Sequence, residues 1–245
     1  MPVILKTILS KETPLPVFDG GGRACALRLV RSSRALSLRL VIDPRRGDVR
    51  LTVPGRYGLN EALRWVETKR NWIEGELARL PAASPLAPGT ILPFRGVDRL
   101  LDWSPDHIRH PVVRDGTILV GGQRESLEGR LLRWLREEAR RLLDAETRAL
   151  AARLGLRPGR ISVGDPVSRW GSCSASGDIR FSWRLILVPD FVRQATVAHE
   201  VAHLVHMHHG PSFHALVAEL HGSDPAPSRQ WLRRNGTALH AIGRR

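Results

Sequence analysis

Apolar residues change their spacing partway along this chain, and that change limits the fold to one mixing strands with helices. In the first third they alternate, in Ala26-Leu27-Arg28-Leu29-Val30, Leu36-Ser37-Leu38-Arg39-Leu40-Val41 and Val49-Arg50-Leu51-Thr52-Val53. A period of two puts them on one face of a strand. The turn-forming run Asp43-Pro44-Arg45-Arg46-Gly47-Asp48 joins the last two strands as a hairpin. Asn60 can cap a helix reaching about Leu80, with Leu63, Val66, Ile73 and Leu77 on one face. A loop over 81–90 precedes short strands expected at 91–94, 98–103, 108–113 and 117–120. From Ser126 to about Leu154 the apolar steps become three and four (Leu127, Leu131, Trp134, Leu135, Leu142, Ala149, Leu150), which is a long amphipathic helix. The switch falls at Gly121-Gly122. The expected division is therefore a β-rich module with one helix over residues 1–120 and a second domain over 121–245.

Composition narrows the function classes. Apolar residues make up 42% and charged ones 25%, a globular mix that excludes a disordered chain. Two cysteines, Cys25 and Cys173, cannot staple a small scaffold. No apolar run reaches the roughly 20 residues of a membrane helix. The N-terminal stretch has no long apolar core or small-residue cleavage site, so no signal peptide is expected. A reducing, cytoplasmic setting fits. Lys and Arg number 38 against 24 Asp and Glu, a net +14, and such an excess points toward a polyanion. Only three of the 38 are lysine, and the excess is spread along the chain. Nucleic acid is therefore the lesser expectation, and a peptide or protein substrate the main one.

The residues that carry chemistry lie further on. Strands are expected at Ile161–Val163, Arg169–Ser174 and Ile179–Ile186, the last two forming a hairpin. Pro189 ends them, and Asp190 can cap the next helix. That helix contains His199-Glu200-Val201-Ala202-His203. Residues four apart share a helical face, so two imidazoles can grip one metal ion. Glu200, next to the first, can reach a water at that metal, which is the H-E-x-x-H pattern of zinc hydrolases. The helix is otherwise apolar (Val197, Ala198, Val201, Ala202, Leu204, Val205), and a buried Glu beside two unpaired His is costly unless a metal engages them. A catalytic zinc takes three protein ligands. His206, His208, His209 and Glu219 are all within reach of the third place, with Gly210-Pro211 permitting a turn. Spacing alone leaves these open.

Several blocks together resemble the YgjP-like zincin metallopeptidases, relatives of the SprT-like and WLM proteases. They are Arg169-Trp170-Gly171-Ser172-Cys173-Ser174, Ile179 to Trp183-Arg184-Leu185, His199-Glu200-Val201-Ala202-His203-Leu204 and His209-Gly210-Pro211-Ser212-Phe213. The similarity extends to Arg39–Val53 and the 60–80 helix. The resemblance implies an α+β fold, in which an N-terminal β-rich module precedes a compact zincin-like domain with its active-site helix on a small sheet. It also implies Zn²⁺ on His199, His203 and His209, peptide hydrolysis with Glu200 as general base, and an edge strand that aligns the substrate. This chain departs from the family at His208 (usually Asn), Gly210 (usually Ser), His214 (usually Trp) and Ser182 (often Asn). Arg169, Trp170, His206, His208 and His214 are candidates for binding substrate or donating to the oxyanion. Cys173 reads as a packed thiol. Two rival readings are a non-catalytic zinc-binding module and a nucleic-acid-associated SprT-like protease.

Overall fold

The structure is a computed structural model and describes residues 15–244. The chain divides after Leu80 into two compact units. In the first, strands β1 (Val17–Asp19), β2 (Ala24–Ser32), β3 (Arg39–Asp43) and β4 (Asp48–Pro54) lie in the order β1-β2-β4-β3. The expected hairpin is β3–β4, antiparallel, while β2 joins β4 in parallel. Asp43 shapes the turn, because its carboxylate accepts from the backbone N–H of Arg45 and pairs with that residue's guanidinium. The expected second strand starts late. Leu36 is 88% exposed and lies outside β3, so the alternation there has no core to face.

The expected helix over 60–80 is two helices, α1 (Leu59–Glu67) and α2 (Arg70–Ala78). Thr68 marks the break. Its hydroxyl donates to the carbonyl of Trp65 at 2.7 Å, a local bond that competes with helix propagation. Asn60 lies inside α1, whose N-cap is Gly58, so it does not cap. Ala62, Val66, Ile73 and Leu77 bury against Leu27, Val49, Leu51 and Val53.

The second unit opens with β5 (Ile91–Phe94), β6 (Val97–Trp103), β7 (Val112–Arg114) and β8 (Thr117–Val120), in the order β5-β6-β8-β7. Helix α3 (Leu127–Arg153) follows, much as the apolar spacing predicts. Phe94 stacks on Trp134 of α3 with ring centroids 5.0 Å apart. Leu92, Leu101, Ile118 and Val120 share one core with Leu131 and Leu135 of α3. The boundary expected at Gly121-Gly122 therefore falls inside this unit. The change of period there is a change of secondary structure over a single core.

Three short strands come next: β9 (Ile161–Gly164), β10 (Gly171–Cys173) and β11 (Ile179–Ser182), in the order β10-β11-β9. The β10–β11 pair is the expected hairpin. β11 stops at Ser182, four residues earlier than expected. The Ser182 hydroxyl accepts from the N–H of Arg184 and starts a 3-10 turn over Trp183–Ile186. Helices α4 (Asp190–Ala202), α5 (Pro211–His221) and α6 (Ala226–Ala241) complete the α+β unit. Asp190 makes no capping hydrogen bond. Its carboxylate pairs instead with Arg95 and with Arg193, and those two cations hold its pKa down at about 2. Arg193, whose side chain is 1% exposed, also pairs with Glu146 at 2.8 Å and ties α4 to α3. Among the described residues no helix is long and apolar enough to cross a membrane.

Candidate metal centre

Helix α4 is buried along Val197, Ala198, Val201 and Ala202, which fixes its roll against the core. That roll presents His199 and His203 one turn apart. The helix ends there, with His203 as its C-cap. The chain then loops through 204–209 and re-enters a helix at Pro211, whose fixed φ suits a first helical turn. His209, just ahead of that turn, folds back onto α4. Its Nε2 lies 3.2 Å from Nε2 of His199, and the ligand atoms of His199, His203 and His209 all fall within 4.8 Å of one another.

Two contacts orient these rings. Phe213 of α5 is buried, and its ring centroid lies 4.9 Å from His199, 4.6 Å from His203 and 4.7 Å from His209, so it forms a shared floor. Nδ1 of His203 lies 3.0 Å from the carbonyl of His206. A proton on Nδ1 donated to that carbonyl leaves the Nε2 lone pair free, which is how metal-binding imidazoles are commonly held. Burial, reinforced by the neighbouring imidazoles, lowers the pKa of His199 to about 4. Burial also lowers that of His203, although the His206 carbonyl opposes it. Both rings are therefore neutral near pH 7, with lone pairs available to a cation. Three imidazole nitrogens from His199, His203 and His209 suit a divalent metal such as zinc and fit the site.

Glu200 points from α4 toward β10 and is 4% exposed. Gly171 makes room for it. A Cβ there would sit 2.6 Å from its Cγ and 2.7 Å from its Cδ. Burial raises the carboxyl pKa to about 7, with Arg169 pulling the other way, and Oε2 is buried without a hydrogen-bond partner. A carboxyl so placed exchanges a proton readily near neutral pH. Beside it opens a cavity of about 260 Å³, walled by Trp170, Val217 and Leu232 and bordered by Arg169 and Arg229. Trp170 is braced by a stack on the buried ring of His240, 5.4 Å away in α6.

The residues expected to build the site thus divide. His199, Glu200, His203 and His209 come together, and Arg169 and Trp170 border the same cavity. His206 contributes its carbonyl, and His214 lies beside His209 at 6.4 Å. His208 and Glu219 are exposed and lie outside the cluster. The floor formed by Phe213 and the contributions of Arg229 and Leu232 were not anticipated. Phe213 had a signal in its four-residue step from His209, whereas α6 carries no motif that would have revealed its two residues.

Three converging imidazoles that could hold a metal ion thus adjoin a buried carboxylate. The chain belongs to the YgjP-like metallopeptidase family, whose metallopeptidase domain matches residues 37–235. No curated protein matches the chain. Nor does any solved structure.

Proposed function

We propose that this chain hydrolyses peptide bonds with zinc held by His199, His203 and His209 and with Glu200 as the general base. One observation carries the reading: the imidazole cluster adjoins a buried carboxyl that has an unpartnered oxygen. Bound there, zinc supplies Lewis acidity, which acidifies water and polarises the scissile carbonyl. Glu200 accepts the water proton at Oε2 and returns it to the leaving amine. Its pKa near 7 suits both halves of that transfer. β10 pairs only with β11 in its sheet, so its other edge offers backbone groups to an extended peptide running past Glu200. Three protein ligands leave one position open, which favours a catalytic site over a purely structural zinc module.

The test is a peptide-library digest with the protein as purified and with Glu200→Gln, together with metal analysis of both. Zinc near one equivalent in each, with cleavage only by the wild type, is expected. Full activity in Glu200→Gln refutes the base, and activity that survives complete metal removal refutes the zinc requirement.

A further inference from the structure

The cavity beside Glu200 has a charge pattern that hydrolysis alone does not require. Arg169 enters from the segment before β10, and Arg229 from the first turn of α6. Neither makes an ion pair or a side-chain hydrogen bond among the described residues. Unpaired arginines are common in a chain of net charge +14, and what sets these two apart is that they border one cavity. The cavity's hydroxyls are already engaged. Thr196 donates to the carbonyl of Val192 at 3.0 Å, and Ser228 to that of Phe191 at 3.2 Å. Glu200 is the only acidic residue on the lining. Two unengaged guanidiniums therefore flank an apolar slot of about 260 Å³, room for one side chain.

We propose that this cavity selects substrates carrying a carboxylate beside the scissile bond, with Arg169 and Arg229 as its partners. Trp170, Val217 and Leu232 pack the aliphatic part of the residue, and the guanidiniums receive the anion where it emerges. A guanidinium donates two parallel N–H groups to a carboxylate, a fit no amide can match. The carboxylate is either an Asp or Glu side chain or the free C-terminus of the substrate. The inference rests on the peptidase reading for the word substrate, but its test does not need turnover.

Matched fluorescent peptides differing only in Glu against Gln, and in a C-terminal acid against an amide, are titrated by anisotropy into the metal-stripped full-length chain. Cleavage of the same peptides by the zinc-loaded chain is followed in parallel. The acid form of one pair is expected to bind about fivefold tighter, the upper scale of a charge pair at exposed arginines. Arg229→Glu and Arg169→Glu should each remove that preference. The pair that shows it identifies the source of the carboxylate. Equal binding of acid and neutral forms in both pairs overturns the proposal, as does a preference unchanged by both reversals. Cleavage without discrimination defeats the selectivity and leaves the peptidase reading intact. Selective binding with no cleavage of any peptide does the reverse.

Discussion

Replacing Gly171 with alanine should disable hydrolysis while leaving the fold and the metal ligands in place. Gly171 starts an extended strand and has no left-handed φ, so an alanine backbone fits without strain. The new methyl would sit 2.6 Å from Cγ of Glu200 and 2.7 Å from Cδ, where ordinary contact begins at 3.4 Å. The carboxylate arm must therefore retreat by about 0.8 Å, the difference between 3.4 and 2.6 Å. The helix beneath it cannot yield, because Val197, Ala198, Val201 and Ala202 are fully buried. A misplacement near 1 Å of a reacting group can lower the rate by about 10²-fold, or about 2.7 kcal/mol of barrier. Overpacking should lower stability by only about 1–3 kcal/mol. The assay is kcat/KM on a fluorogenic peptide, with urea unfolding and zinc content measured on the same preparation. A folded, zinc-loaded Gly171→Ala protein that retains wild-type kcat/KM would refute the placement of Glu200 as base.

Other outcomes follow from the same geometry. Phe213→Ala removes the shared floor of three imidazoles and should destabilise the chain by about 3–5 kcal/mol, with weaker zinc binding in a competition titration against a chelator. Glu146→Ala strips one carboxylate from the buried Arg193 and should cost about 3 kcal/mol by chemical denaturation, while Glu138→Ala, at an exposed pair, should change little. His199 has a pKa of about 4 in the folded chain against an ordinary 6.5, so between those values the unfolded chain binds more protons. The metal-free protein should therefore lose stability as pH falls from about 6.5 to about 4, and His199→Gln should flatten that slope in thermal melts across the window.

Residues close in sequence account for most of what could be read without a structure. The His199–His203 pair, Glu200 and the β10–β11 hairpin each follow from spacing over a dozen residues or fewer. The third imidazole of the cluster did not, because five residues separate His203 from His209 and two imidazoles in between, His206 and His208, reach as far. The family resemblance singled out His209, and in the structure the turn at Gly210-Pro211 and the packing of Phe213 bring it to the pair. The division of the chain was misplaced for a related reason. Spacing reports secondary structure, whereas the contact of Phe94 with Trp134 joins a strand to a helix 40 residues away. The breaks at Thr68 and Ser182 turn on one hydroxyl each, at residues that also occur inside ordinary helices and strands.

His199 lies on α4 and His203 caps its C-terminal end, while the third imidazole returns from the far side of a loop. An ion shared by all three would thus cross-link residues 199 and 209 reversibly, and its binding energy would add to the stability of that segment. At a free concentration 100 times Kd, such linkage is worth about 2.7 kcal/mol. Local order over residues 204–209 then becomes a function of zinc supply, readable as amide-exchange protection that rises and falls with the buffered ion. The same loop that completes the site would become more exposed to proteolysis when the ion is scarce.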